Sequence, residues 1–161
     1  MPGETTVFWQ PLVWLSLLVA LVLQVMPMPE SWLLWRPCWL GMVLIYWCLA
    51  RPSNVGVMHG FMFGLLLDVL DGRPLGECAL IHSLLAFITL MLYQRLRFYS
   101  IWQQAFIVMV MLGITLLIDQ WLRVALGVDM LRIQATMAAV VSGLLWPWIL
   151  TLLKSLERRW L

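Results

Sequence analysis

Four ionisable side chains stand within or at the ends of apolar stretches of this chain: Asp68, His82, Asp119 and Arg123. A charge at the centre of a bilayer costs roughly 2.5–3.5 kcal/mol on insertion scales, so such groups face protein or water and often mark ion, proton or substrate paths. Two carboxylates, an imidazole and a guanidinium could relay protons, bind an ion or line a solute pocket. Asp119 and Arg123 are spaced i, i+4, so on a helix they share a face and can pair. The competing reading is a structural polar cluster, or side chains reaching toward an interface. All four lie toward the ends of their stretches, which lowers the cost of burial and favours that second reading. His59 reads as an interfacial residue.

A second pattern is steric. Gly56, Gly60 and Gly64 recur every four residues, and Ala135, Ala139 and Gly143 repeat the spacing later in the chain. On a helix each set forms a stripe without bulky side chains, where another backbone can approach closely. The stripe could receive a partner protein. Contact with a neighbouring helix of the same chain is the commoner use.

Other chemistry finds no support. The chain has no H-E-x-x-H, phosphate loop or G-x-S-x-G, and no metal-spaced Cys/His cluster. Cys38, Cys48 and Cys78 are odd in number, lack C-x-x-C spacing and read as small buried hydrophobes. A net charge of +2 from scattered basic residues leaves no nucleic-acid footprint. No enzyme, cofactor or metal is expected.

The elements that position these residues follow from composition. Of 161 residues, 63% are hydrophobic and 11% charged, against about 45–50% and about 25% in a soluble domain. Too few charged residues remain to cover a water-soluble core, whereas a bilayer suits this balance. A membrane-crossing helix takes roughly 20 apolar residues, so the length allows at most six in a single domain over residues 1–161.

Breaks at proline, glycine and charge divide the chain into six apolar stretches: 7–26, 32–50, 55–70, 75–93, 101–126 and 133–153. The first stops at Pro27-Met28-Pro29, the third at Asp71-Gly72-Arg73-Pro74. The first lacks the basic leader and cleavage site of a secretory signal, so a retained helix is expected. The third is short and carries His59 and Asp68. With six crossings, one side holds Arg51, Arg95, Arg97, Lys154, Arg158 and Arg159, and the other Arg36, Arg73, Arg123 and Arg132. The positive-inside bias then places both termini in the cytoplasm. Asp129 falls with most of the other acids on the outer side. Most of the eleven tryptophans fall near stretch ends, where their amphipathic rings suit the interface. Trp14, Trp39, Trp146 and Trp148 lie deeper.

At the level of ordered motifs the chain resembles the bacterial rod shape-determining MreD family. The likeness runs through Trp14-Leu15-Ser16, Met26-Pro27-Met28-Pro29, Arg36-Pro37 and Tyr46-Trp47. It continues through Gly60-Phe61-Met62-Phe63-Gly64 up to Asp68, then Gly72-Arg73-Pro74-Leu75-Gly76, Trp102-Gln103-Gln104-Ala105 and Leu144-Leu145-Trp146-Pro147-Trp148.

The resemblance implies a non-enzymatic subunit of the cell-elongation machinery in a bacterial inner membrane. Partners implied are MreC above all, with MreB, RodA and the class B penicillin-binding protein 2 in the same complex, and membrane lipid around it. It also implies an all-α, polytopic six-helix bundle similar to the substrate-binding subunits of energy-coupling-factor transporters. That likeness keeps a small-solute binding or transport role open, although no residue here carries over as a vitamin ligand. The expected role is a scaffold for MreC and the peptidoglycan-synthesis machinery.

Overall fold

The computed structural model describes residues 6–128 and 134–160. Asp129 and Arg132, used above in weighing charge, lie outside them. The described residues form six α-helices: α1 (Thr6–Val25), α2 (Trp39–Ala50), α3 (Val57–Asp71), α4 (Glu77–Leu96), α5 (Ile101–Ala125) and α6 (Gln134–Trp160). A 3-10 turn, Glu30–Trp35, precedes α2.

The stretch expected to run unbroken over 32–50 is therefore divided. Pro37 disfavours helix at the residue before it, and Arg36 adopts an extended backbone with ψ 112°. What remains as α2 is only twelve residues long, yet Leu40 through Leu49 are all buried. A helix that is apolar on every side belongs inside a structure. Here α2 forms the axis. Trp47, Met42, Leu44 and Ile45 have no measurable exposure, and α1, α4, α5 and α6 all touch it.

Two helical hairpins pack around this axis, α3 with α4 and α5 with α6. The first is tight because two glycines of α3 face α4. A Cβ placed on Gly60 would lie 2.6 Å from the His82 carbonyl oxygen, and one on Gly64 would lie 2.5 Å from that of Cys78. Separations this short allow no side chain. The α5–α6 pair uses the same device at Gly143, where a Cβ would come within 2.5 Å of the Met109 Cβ. Packing is what holds helices together in lipid, since tails are already as apolar as leucine.

Four helical stretches among the described residues are long and apolar enough to cross a membrane: Glu30–Ala50, Glu77–Leu96, Ile101–Ala125 and Thr136–Trp160. Trp9–Val25 is apolar but shorter. The fifteen residues of α3 rise about 22 Å, against a hydrocarbon thickness of about 30 Å. One face of it, with Gly60, Gly64 and the buried Asp68, packs on α4, while Met58, Phe61, Met62 and Leu66 on the other face are exposed. The last helix continues to Trp160, past the stop expected at Leu153.

Candidate functional site

The polar residues converge where α3 turns into α4. Helix α3 ends through Gly72, whose φ of +66° gives the left-handed cap that lets a helix terminate. The chain re-enters helix through Gly76, with φ +100° and no side chain to cap α4. The first backbone N–H groups of a helix have no intrahelical acceptor. Asp68 supplies one from the preceding helix. Its Oδ1 accepts from the Cys78 N–H at 2.9 Å, and its Oδ2 from those of Gly76 and Ala79 at 3.0 and 3.3 Å. A carboxylate at a helix N-terminus also meets the positive end of the helix dipole. Asp68 is fully buried, and these contacts give it a structural task.

Around this clasp lies a chain of ion pairs. Arg73, in the turn, reaches Asp71 at 3.4 Å and Asp119 of α5 at 3.8 Å, and donates to the Cys78 Sγ at 3.4 Å. Arg123 lies 3.3 Å from Glu77, the first residue of α4, whose side chain is only 3% exposed. Burial pulls the Arg73 guanidinium's pKa down, but Cys78, Asp119, Asp71 and Glu77 together outweigh it and hold the group above its ordinary value. Arg73 therefore stays a fixed positive charge between two helices.

Inside the network is a cavity of about 100 Å³ bounded by Gln24, Arg73, Cys78, His82, Thr115 and Asp119, among others. The His82 Nδ1 lies 2.8 Å from the Cys78 carbonyl, which accepts only, so Nδ1 is the donor in this bond. The Gln24 Oε1 and the Asp119 Oδ1 are buried without a hydrogen-bond partner among the described residues. Ligand pockets run to about 300–1,000 Å³. A space of this size suits a few water molecules, which buried polar atoms commonly recruit.

The four ionisable residues singled out in the sequence thus divide. His82 and Asp119 border the cavity, Asp68 is engaged by α4, and Arg123 is paired with Glu77. The sequence reading passed over Arg73 and Glu77. The turn motif around Arg73 was visible, but not that it reaches α5.

Of the small residues, Gly60, Gly64 and Gly143 meet neighbouring helices of the same chain. Ala139 is buried, and a Cβ on Gly113 would lie 3.7 Å from its Cβ. Gly56 precedes α3, and a Cβ there would lie 3.2 Å from a Leu90 methyl. The side chain of Ala135 lies outside the described residues.

A second polar group closes the opposite end of the bundle. The Tyr46 hydroxyl donates to the Glu157 Oε2 at 2.8 Å, Arg51 approaches Glu157 at 3.5 Å, and its guanidinium sits 5.7 Å from the Trp9 ring centre. This ties α1, α2 and α6 together. Nothing here resembles a nucleophile with its base, and no group of three or more His, Cys, Asp or Glu is placed to hold a metal ion among the described residues.

Comparison with known proteins bears on what such a bundle is for. A family model described as rod shape-determining protein MreD matches residues 6–156. The chain belongs to the MreD family. It is 35% identical over 141 residues to the rod shape-determining protein MreD of Haemophilus influenzae, covering 88% of this chain and 87% of that relative. No solved structure matches the chain, so the likeness to energy-coupling-factor subunits rests on the family resemblance alone. Family membership and the apolar helices agree on a multi-pass helical membrane protein.

Proposed function

We propose that this chain is a non-enzymatic subunit of the bacterial rod complex, holding MreC and the peptidoglycan-synthesis machinery in register to maintain cell shape. MreC is the direct partner in this reading; MreB, RodA and the class B penicillin-binding protein 2 belong to the same assembly. The chain sits in the inner membrane with both termini in the cytoplasm. Family membership over residues 6–156 carries the proposal. The geometry is in keeping with it. Polar side chains are spent on joining helices, while broad apolar faces of α1, α3, α4 and α6 remain open, with Leu15, Met58, Phe87 and Leu144 all exposed.

The alternative is a small-solute binding or transport component built on the polar layer. It draws on the unpaired Gln24 and Asp119 oxygens, but its cavity of about 100 Å³ is well below the usual size for a ligand pocket. Purification from native membranes separates the two. A scaffold is recovered with MreC bound, and Asp119→Asn keeps rod shape in a strain that depends on the chain. Recovery of a small molecule with no protein, together with loss of shape in Asp119→Asn at normal abundance, would favour the solute reading.

A further inference from the structure

A pocket of about 300 Å³ opens at the end of the bundle where α6 finishes, away from the Asp68–Arg73 network. It is about three times the volume of the cavity beside His82 and reaches the lower limit of ligand pockets, about 300–1,000 Å³. Four parts of the chain meet around it: α2 through Tyr46, the turn after α4 through Arg97, α5 through Gln104, and α6 through Lys154 and Glu157.

The charges bordering this pocket do not balance. Glu157 is already engaged, by the Tyr46 hydroxyl at 2.8 Å and by Arg51 at 3.5 Å. Arg97 and Lys154 have no ion-pair partner among the described residues. Two unmatched cations on one concave surface draw an anion, and the planar fork of arginine matches a phosphate in particular. Gln104 adds a second requirement. Its Nε2 donates to the Leu96 and Tyr99 carbonyls at 2.8 and 3.3 Å, which fixes the amide. Its Oε1 is buried with no donor among the described residues. A buried acceptor left unmatched costs free energy, so an occupant with a hydroxyl or ammonium beside its anionic group meets both needs. Depth narrows the choice further. Lys154 is the first charged residue after the uncharged run 134–153, and Arg97 stands just past the end of α4 at Leu96. Each marks where an apolar stretch gives out, which is the level of lipid headgroups.

We infer that this pocket binds a phosphate group with a neighbouring hydroxyl or ammonium, Arg97 and Lys154 holding the phosphate and the Gln104 Oε1 accepting from the donor. A glycerophospholipid headgroup and a soluble phosphate ester share that chemistry. The site uses none of the polar layer around Asp119 and does not depend on the scaffold reading.

The test uses the full chain purified in a non-ionic detergent, with binding read as the rise of its unfolding midpoint on titration. Dihexanoyl phosphatidylglycerol presents a phosphate and hydroxyls on short tails, glycerol 3-phosphate presents them without tails, and dihexanoylglycerol lacks the phosphate. Expected is a saturable rise with at least one of the two phosphates and none with dihexanoylglycerol. A rise with the lipid alone identifies a membrane headgroup as the source, and an equal rise with glycerol 3-phosphate identifies a soluble ester. Joint substitution Arg97→Gln and Lys154→Gln should weaken binding about tenfold, within the reach of two exposed ion pairs. Gln104→Leu should weaken it about fivefold through the lost acceptor. Arg158→Gln, exposed on the same helix but outside the pocket, should leave it unchanged. Arg97 and Lys154 are both exposed, so the joint variant should fold; if it aggregates, Lys154→Gln alone should weaken binding about threefold. No response to either phosphate, an equal response to dihexanoylglycerol, indifference of the folded Arg97 and Lys154 variants, or the same loss from Arg158→Gln would each overturn the assignment.

Discussion

The carboxylate of Asp68 accepts a hydrogen bond from the backbone N–H of Cys78 at 2.9 Å, ten residues further along the chain. One side chain thereby serves as the cap of a helix other than its own. Replacing it with alanine strands three N–H groups, those of Cys78 and Ala79 buried and that of Gly76 partly so. The expected loss is about 2 kcal/mol or more, read as a lowered unfolding midpoint in detergent. Asp68→Asn, which keeps one acceptor oxygen, should fall between the two. A midpoint unchanged in Asp68→Ala would remove the clasp as an explanation.

Gly64 stands where the two helices of that hairpin touch. Gly64→Leu should separate α3 from α4 and cost at least about 1–3 kcal/mol, the usual range for overpacking, because the obstruction is the Cys78 and Ala79 backbone. Leu66→Ala, at an exposed position on the same helix, should leave the folded fraction nearly unchanged. Size-exclusion profiles of the two variants compare them directly.

Half of the fold was legible in these residues and half was not. Pro27, Pro29, Gly72 and Pro74 mark helix ends through backbone chemistry, which acts locally and can be read in order. The four-residue glycine spacing likewise announces a close approach, though not to which helix. Glu157 gives no such sign. It reads as part of a charged tail until α6 is seen to carry it to Tyr46, 111 residues away in sequence. Arg73 and Glu77 were missed for the same reason, since their partners Asp119 and Arg123 sit on α5. Pairing across helices is a property of packing, and one sequence does not state its packing.

The Arg73–Asp119 pair should show its worth in a double-mutant cycle. Both side chains retain some exposure, 27% and 15%, and stand 3.8 Å apart. The coupling is therefore expected near the upper end of the range for exposed pairs, about 1 kcal/mol, rather than that of a fully buried one. The cycle compares unfolding midpoints of Arg73→Ala, Asp119→Ala and the double variant. Strict additivity would show that the two do not interact.

At the other end of the bundle, Glu157→Gln should weaken the junction of α1, α2 and α6. It removes a partner charge from Arg51 and a charged acceptor from the Tyr46 hydroxyl. A loss of about 1–2 kcal/mol is expected. Tyr46→Phe should produce part of the same effect, and combining the two should add little. Full additivity in the same melting experiment would place the residues in separate interactions.

An axis wrapped on all sides has a consequence for how the molecule is made. Helix α2 leaves the ribosome early, but its walls include α5 and α6, and the Cys38 N–H finds its acceptor on Ser142, 104 residues later. During synthesis this segment must lodge against lipid or insertion machinery until the last hairpin arrives to enclose it. A chain arrested after α4 should leave Cys48, buried in the finished protein, open to a membrane-permeant maleimide that the complete chain resists. Equal labelling of both would mean that the first four helices enclose it unaided.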